Sequence, residues 1–317
     1  MLPRNPALGL ALVLLGASLF VVNAGVSRVA LRAGVDPATL TTIRVTGTFV
    51  VLALFAAAFR RSALRPPTGR LRWLVALHGL VGVAALQWTY FIAIDRLPVG
   101  MALLLEYQAP ILVAVWARVV QKEAVRPRAW LGLALAVVGL GAVTGVGQGL
   151  EFDTVGIVAA LGAAVCLAAY FLIGEHGVAT LDPLRVILWS FLVAAIALNV
   201  VSPITAFDTG LLDEQVTLLG NLSAYDAPVW LALVWIVVLG TVVPFAAELA
   251  ALRHLSATAV TMVGMLEPVG VSALGWMWFD ERLGTIGVIG GLVVIAGIAL
   301  AQTARPPHPQ VEPAIVT

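Results

Sequence analysis

Residues 103–113 read LLLEYQAPILV and place a glutamate and a proline inside a long apolar run. Glu106 is costly there, because an ionisable side chain at the centre of a bilayer costs about 2.5–3.5 kcal/mol on insertion scales. Pro110 has no N–H to bond the carbonyl four residues earlier, and that carbonyl belongs to Glu106 itself. The stretch therefore predicts a kinked membrane helix that carries a carboxyl at its kink.

The composition around this stretch is that of a polytopic membrane protein. Of the 317 residues, 61% are hydrophobic and 11% are charged, with a mean hydropathy of +1.03. Soluble domains carry roughly 45–50% apolar and about 25% charged residues. The net charge of +1 indicates no nucleic-acid partner, and the single Cys166 excludes an intrachain disulfide or a cysteine metal cluster. We expect the lipid bilayer as the main partner, and no cofactor or metal ion.

Ten apolar runs have about the 20 residues that a membrane-spanning helix needs. They are 6–25, 38–59, 72–94, 98–119, 128–147, 155–174, 184–206, 229–251, 256–279 and 284–303. Proline-containing breaks separate them, for example Asp36-Pro37 and Asp182-Pro183. We interpret the first run as a span and not as a cleaved signal segment, since apolar runs continue along the chain. The predicted fold class is all-α, with ten transmembrane helices.

Positive charges predict the orientation, since cytoplasmic loops carry the excess of lysine and arginine. With a cytoplasmic N-terminus, thirteen basic residues lie inside: Arg4, Arg60, Arg61, Arg65, Arg70, Arg72, Arg118, Lys122, Arg126, Arg128, Arg185, Arg253 and Arg305. Only four lie outside: Arg28, Arg32, Arg96 and Arg282. We therefore expect a multi-pass protein of the cell (plasma or inner) membrane with both termini in the cytoplasm.

The second half of the chain repeats the first. At an offset of 158 residues, Leu97 aligns with Leu255 and Pro110 with Pro268, and Glu123 aligns with Glu281 in the same way. Each repeat has five spans, which is an odd number, so the second copy begins on the opposite side of the membrane from the first. Two copies in series must therefore be inverted relative to each other, as in many secondary transporters. The predicted domains are a first repeat at 6–147, a second, inverted repeat at 154–303 and a disordered cytoplasmic tail at 304–317.

Three prolines predict kinks at membrane depth. Pro268 frees the carbonyl of Gly264, the repeat equivalent of Glu106, and Pro244 frees that of Gly240. Non-helical backbone inside a membrane is tolerated where it lines a cavity or is buried in protein. Pro110, Pro268 and Pro244 are therefore the predicted helix-kink residues.

Further ionisable side chains fall inside the predicted spans. Glu267 aligns with Ala109 and is displaced from Glu106 by about 4.5 Å along the axis, so both carboxyls can face one cavity. Glu248 lies nearer the cytoplasmic end of the eighth span, where burying an ionisable side chain is less costly. Each glutamate could instead be protonated and merely bonded between helices.

Two basic side chains also fall inside the predicted spans. Arg44 suits substrate contact, a structural ion pair or snorkelling. His78 is expected to be an interfacial or core histidine with a backbone partner.

Amphipathic aromatic and amide side chains complete the candidate site. Buried tyrosine hydroxyls and tryptophan N–H groups need partners, which an amphipathic ligand can supply. The candidates for substrate contact are Trp88, Tyr90, Tyr107, Gln108 and Tyr170. Glycines of the fifth and tenth spans suit close packing between those two spans, or formation of a homodimer.

The motifs resemble the EamA-type members of the drug/metabolite transporter superfamily. LEYQAP in the fourth span, AAYFLIGE in the sixth, and the LRHLSAT and LEP strings of the second half carry the resemblance. The glutamate followed by an aromatic residue and Pro110 is similar to the threonine/homoserine exporter branch. The resemblance implies an inner-membrane exporter of amino acids or similar metabolites, with a central cavity lined by spans 1, 3, 4, 6, 8 and 9.

The expected function is thus secondary-active export of a small amphipathic metabolite by alternating access, with protons as the candidate coupling ion. Glu106 would bind a substrate amine or carry the proton. A passive facilitator or channel, and a multidrug or nucleotide-sugar-type carrier, remain alternatives. A membrane-embedded enzyme is disfavoured, because the sequence has no catalytic motif and only scattered polar residues. A non-transporting scaffold would not need paired kinks at the midplane.

Overall fold

A computed structural model describes residues 5–97, 99–122, 125–143, 153–280 and 284–303. Within these ranges the chain is almost entirely helical. The predicted tail at 304–317, Pro98, and the aligned pair Glu123 and Glu281 lie outside the described residues.

Eight helical stretches of the described chain are long and apolar enough to cross a membrane. The first two are α1 (Pro6–Arg32) and α2 (Pro37–Phe59). The third consists of α3 (Arg70–Leu77), a π-helix (His78–Ala85) and α4 (Leu86–Arg96). The fourth consists of α5 (Val99–Glu106) and α6 (Ala109–Val119). A shorter apolar helix, α7 (Pro127–Val143), follows.

The second half has the same order of elements. It contains α8 (Thr154–Thr180), α9 (Pro183–Val201), then α10 (Val229–Val237), a π-helix (Val238–Val242) and α11 (Val243–Ala251), then α12 (Ala257–Gly264) and α13 (Leu266–Phe279), and finally the shorter apolar α14 (Thr285–Thr303). The described chain is therefore a multi-pass helical membrane protein.

Side-chain caps explain where several helices begin. Asp36 accepts from the Thr39 backbone N–H at 3.0 Å, and Asp182 accepts from that of Leu184 at 3.0 Å. A proline follows each aspartate at the first helical position, where its missing N–H costs nothing. The Asp-Pro pairs that predicted breaks are thus helix starts. The sequence prediction ended two helices too early, because α1 continues to Arg32 and α8 to Thr180.

The fourth and ninth spans are interrupted where the sequence predicted kinks. Two residues, Tyr107 and Gln108, separate α5 from α6, and Met265 separates α12 from α13. Pro110 and Pro268 lie in the first turn of the following helix in each case. The backbone breaks therefore place Glu106 at the end of one half-helix and Glu267 at the start of another.

The third and eighth spans each contain a π-helix, a wider turn that often occurs at functional sites. Each one brings a glycine against another span: Gly82 packs on Tyr170 of α8, and Gly240 packs on Asn23 of α1. Pro244 is the second residue of α11, directly after the π-helix of the eighth span.

Glycines allow α7 and α14 to pack closely against each other. A Cβ at Gly297 would lie 2.6 Å from the Gly132 carbonyl oxygen, and one at Gly139 would lie 2.6 Å from that of Gly290. The glycine pattern of the fifth and tenth spans therefore serves packing inside one chain.

The acidic segment between α9 and α10 folds back onto α13. It forms a two-stranded antiparallel sheet, β1 (Gln215–Thr217) and β2 (Asp226–Pro228). The Trp278 indole N–H donates to the Leu218 carbonyl at 2.8 Å, and the Asn221 amide donates to the Met277 carbonyl at 2.9 Å. These bonds attach the loop to the C-terminal end of α13.

Candidate functional site: an acidic cavity at the helix breaks

A cavity of about 740 Å³ lies between the helices. Its lining comes from α1, α2, α4, α5, α6, α8, α11, α12 and α13. Spans 1, 3, 4, 6, 8 and 9, implied by the family resemblance, all contribute. The second span, which the family resemblance did not include, also contributes Leu40, Thr41 and Arg44 of α2, and Arg44 was a candidate for substrate contact in the sequence.

The cavity extends to one end of the helix bundle. On α1 its lining begins at Phe20 and reaches Leu31, and on α13 it reaches Phe279. The N-terminal end of α1 is packed instead, since a Cβ at Gly9 would lie 2.7 Å from Cγ of Leu255. The Asn5 backbone N–H also donates to Nδ1 of His254 at 3.2 Å. The side chains of the site are therefore accessible from the Phe279 end.

Three carboxyl groups share this cavity. Glu106 ends α5, Glu267 is the second residue of α13, and Glu248 lies on α11. Glu267 interacts electrostatically with both of the others. The sequence had suggested a less telling place for Glu248 near a helix end, but its side chain is buried in the cavity wall. Three acidic groups in one low-dielectric space favour a bound cation or proton.

Tyr107 connects the two interrupted spans. It lies in the break between α5 and α6, and its hydroxyl forms a hydrogen bond with the Glu267 carboxyl. Because the break takes Tyr107 out of the regular helix, its side chain can reach the start of α13. One carboxyl of the trio is therefore held by a residue of the opposite half of the chain.

Arg44 contributes a positive charge to the wall. It is the eighth residue of α2 and interacts electrostatically with Glu267 and Tyr90. Its Nε is shielded from solvent and has no hydrogen-bond partner among the described residues. The cavity thus carries both signs of charge, with carboxyls in the majority.

Aromatic side chains form the floor of the cavity. The Tyr170 ring packs edge-on against Phe171 and Phe245, with centroid distances of 5.1 and 5.5 Å. The Tyr170 hydroxyl and the Asn23 Oδ1 are buried and have no hydrogen-bond partner in the described part of the chain. An amphipathic ligand could satisfy these polar atoms while its apolar part contacts the rings.

His78 supports this floor from behind. Its Nε2 lies 3.1 Å from the Tyr170 carbonyl oxygen and its Nδ1 lies 2.8 Å from the Ser190 hydroxyl. Both His78 and Ser190 are fully buried. The expected core histidine with a backbone partner is thus observed, and its ring packs on Tyr170 at 4.7 Å.

Two of the predicted substrate contacts lie outside the cavity lining. Trp88 is 38% exposed on the outer surface of the bundle. It is two residues from Tyr90, and a helical spacing of two places side chains on nearly opposite faces. The Gln108 amide, in the break between α5 and α6, donates back to the Leu104 carbonyl of α5 at 2.9 Å. Tyr90, Tyr107, Tyr170 and Pro110 do line the cavity.

Sequence reasoning missed Asn23 and Arg28 among the lining residues. Asn23 could have been noticed as the only side-chain amide within α1. Arg28 was placed outside the first span, because that span was ended too early. Its guanidinium lies 4.4 Å from the Phe279 ring centroid, at the accessible end of the cavity.

Within the described ranges, no group of three or more histidine, cysteine, aspartate or glutamate residues is placed to hold a metal ion.

The sequence model of the EamA-like transporter family matches residues 7–145 and again residues 154–303. The chain belongs to the EamA-like transporter family. The prediction of the family from its sequence motifs is therefore confirmed. Membership makes the chain a membrane transporter and not an enzyme, and it assigns the acidic cavity to a protein that moves a solute.

Curated relatives of this EamA-like chain include exporters. The threonine/homoserine exporter RhtA of Escherichia coli (strain K12) is 27% identical over 261 residues, covering 82% of this chain and 79% of RhtA. RhtA of Salmonella typhimurium (strain LT2) is 27% identical over 270 residues, covering 84% and 82%. The uncharacterized inner membrane transporter YhbE of Escherichia coli (strain K12) is 25% identical over 146 residues, covering 46% and 42%.

The fold of this EamA-like transporter also occurs in a solved crystal structure. The two chains superpose with a TM-score of 0.71, and the alignment covers 92% of this chain and 96% of the other. Their sequences are 20% identical. This similarity establishes a shared fold and nothing about the solute.

Proposed function

We propose that the protein is a secondary-active exporter of amino acids that works by alternating access and exchanges its substrate for protons. The observation that carries the proposal is the acidic cavity at two helix breaks, whose lining contains Glu106, Glu248 and Glu267 together with Arg44. A zwitterionic amino acid presents an ammonium to the carboxyls and a carboxylate to the arginine. The similarity to the threonine/homoserine exporters supports an amino acid as the solute.

The proposed architecture is ten transmembrane helices in two inverted repeats, 6–147 and 154–303, with both termini in the cytoplasm. The structure supplies two supports at the sequence offset of 158 residues. The helix breaks at Pro110 and Pro268 correspond, and so do the π-helix glycines Gly82 and Gly240. Inverted repeats place a substrate site near the midplane between them, where these breaks line the cavity.

The proposed cycle follows from the shared acidic groups. Protons and the substrate ammonium compete for the same carboxyls, so loading of one favours release of the other. Glu106 binds the ammonium or carries a proton, while the breaks at Tyr107 and Met265 supply the flexibility for opening and closing. Export results when substrate enters from the cytoplasm and protons return along their gradient.

A carrier of larger amphipathic compounds is the second candidate. A volume of about 740 Å³ falls within the roughly 300–1,000 Å³ typical of pockets for drug-sized ligands. The aromatic floor around Tyr170 would suit such compounds. The two candidates differ in the need for Arg44, because a cationic drug has no carboxylate.

The test is transport by purified protein in liposomes. Liposomes preloaded with unlabelled threonine, homoserine or phenylalanine should take up the labelled amino acid by exchange, and an imposed pH gradient should drive accumulation above equilibrium. Uptake that proceeds to equilibrium and does not respond to the gradient would indicate a passive facilitator. The drug-carrier function would be supported, and amino-acid export contradicted, by two results together. Amino-acid exchange would be no faster than in protein-free liposomes, and the protein would transport a fluorescent cationic dye.

A further inference from the structure

We propose that Arg44 binds the substrate carboxylate, so that the amino acid lies across the cavity with its ammonium at the carboxyl trio. This inference rests on the proposed function and adds an orientation and a residue that selects zwitterions over simple amines.

The first support is the unpaired Nε atom of the Arg44 guanidinium. Nε of Arg44 is buried without a hydrogen-bond partner in the described part of the chain. Leaving a buried donor unpaired is unfavourable, and more so for a charged group. Within those same ranges, Arg44 has no carboxylate within salt-bridge distance, whereas Arg96 and Arg253 each have one. The guanidinium is therefore not engaged by a carboxylate of the described residues, and the Arg44 side chain that carries it lines the cavity where a ligand would bind.

The second support is the position of Arg44. It lies seven residues after Pro37, or about 10 Å along the helix axis from the start of α2, and its side chain lines the cavity. Thr41 lies one turn earlier on the same helix. Its hydroxyl donates to the Pro37 carbonyl at 3.1 Å, so this hydroxyl bonds the backbone and not Arg44. Arg44 therefore faces the substrate space and does not snorkel to the membrane surface.

The third support is the balance of charge around Glu267. This carboxyl already accepts a hydrogen bond from Tyr107, and it shares the cavity with Glu106 and Glu248. A simple charge-neutralising role for Arg44 would place its guanidinium against one carboxyl. In the described part of the chain Arg44 forms no ion pair within 4.0 Å, although it interacts electrostatically with Glu267, so the cavity offers a positive group beside an acidic majority, as the two ends of a zwitterion require.

Arginine suits this role because of its geometry. A planar guanidinium presents parallel N–H donors that bind both oxygens of a carboxylate, whereas lysine offers a point charge. A lysine at position 44 should therefore keep the attraction but lose much of the selectivity.

The test compares ligands that differ only at the carboxylate. Threonine and threoninamide, and phenylalanine and phenylalaninamide, are titrated against the purified full-length protein by ligand-induced thermal stabilisation. Wild-type protein should prefer each acid to its amide. Arg44→Gln should weaken acid binding about 10- to 100-fold, corresponding to loss of a charged hydrogen-bonded contact, and leave amide binding nearly unchanged. Arg44→Lys should lie between them.

The matched control is Arg32→Gln, which removes an exposed arginine at the end of α1 that does not line the cavity. It should bind every ligand as wild type does. Equal weakening of acids and amides in Arg44→Gln, or equal wild-type affinity for an acid and its amide, would overturn the role of Arg44 alone. A folded wild-type protein that binds none of the four ligands would overturn amino-acid export as well.

Discussion

The Tyr107 hydroxyl forms a hydrogen bond with the Glu267 carboxyl and so joins the break of the fourth span to the start of α13. The two residues are far apart in sequence, and each lies at a point where a proline interrupts regular helix. The bond therefore connects the two places where the helices can change their angle, and it holds one of the three carboxyls that define the cavity.

Removal of this bond should affect both stability and transport. Tyr107→Phe deletes the donor, and hydrogen bonds to charged groups contribute about 1.5–3 kcal/mol. We expect a lower melting temperature in detergent and slower amino-acid exchange in liposomes. Tyr225→Phe is the control, because Tyr225 is 64% exposed in the loop between α9 and α10. A Tyr107→Phe protein with wild-type values in both assays would show that the contact has no role.

Glu106→Gln should abolish most transport while the fold is retained. The amide keeps the shape of the side chain but cannot carry a negative charge or release a proton, so amino-acid exchange should fall at least about 10-fold. The remaining activity should respond less to an imposed pH gradient. Glu214→Gln changes an exposed glutamate outside the cavity and should transport normally. Wild-type rate and pH response in Glu106→Gln would remove this residue from the mechanism.

Pro110→Ala should slow transport without lowering the stability of the fold. Alanine restores the N–H that can bond the Glu106 carbonyl and favours a continuous helix through the break. We expect an unchanged or higher melting temperature and several-fold slower exchange, since a straightened span would close part of the cavity. Pro268→Ala should behave in the same way if the two breaks are equivalent. Faster exchange in both variants would contradict a need for preformed kinks.

Close packing of α7 on α14 predicts sensitivity at Gly297. A Cβ there would lie 2.6 Å from the Gly132 carbonyl oxygen, so Gly297→Val must separate the helices, and overpacking typically costs about 1–3 kcal/mol. The melting temperature should fall. At Gly141 the nearest atom to an added Cβ is Leu104 Cδ2 at 3.9 Å, which makes Gly141→Val the tolerated control. Equal stability of the two variants would contradict the observed packing.

The cap at the start of α8 predicts a pH-dependent contribution outside the membrane. The Gly156 backbone N–H, at 2.7 Å, and the nearby Arg96 guanidinium hold the pKa of Asp153 below its usual 3.8. A lowered folded-state pKa means that the stabilisation is present above about pH 4 and is lost as the pH falls through the folded value. Asp153→Ala should therefore melt lower than wild type at pH 7, and the difference should shrink toward pH 3. Asp153→Asn retains a cap that carries no charge. The difference in melting temperature between Asp153→Asn and Asp153→Ala should therefore stay the same from pH 7 to pH 3.

Much of the helical framework could be predicted, because each signal acts locally. Apolar runs indicated the spans, Asp-Pro pairs marked helix starts, and Pro110 and Pro268 marked the breaks. The ends of α1 and α8 were placed too early, since charged residues such as Arg28 and Glu175 can continue a helix beyond the hydrocarbon core. The π-helices at His78 and Val238 left no local signal that was recognised, because they depend on packing of Gly82 and Gly240 against other spans.

The sequence by itself determined the membrane class, the family, the helix breaks and the presence of carboxyls at membrane depth, because hydropathy, proline chemistry and repeat spacing are properties of the chain. Only the tertiary structure decided which polar groups meet. It brought Glu248 and Arg44 to the same cavity as Glu106 and Glu267, and it placed Trp88 on the outer surface. The reason is that the rotation of each helix about its axis is set by packing with its neighbours, and a rotation of half a turn exchanges a cavity residue for a lipid-facing one.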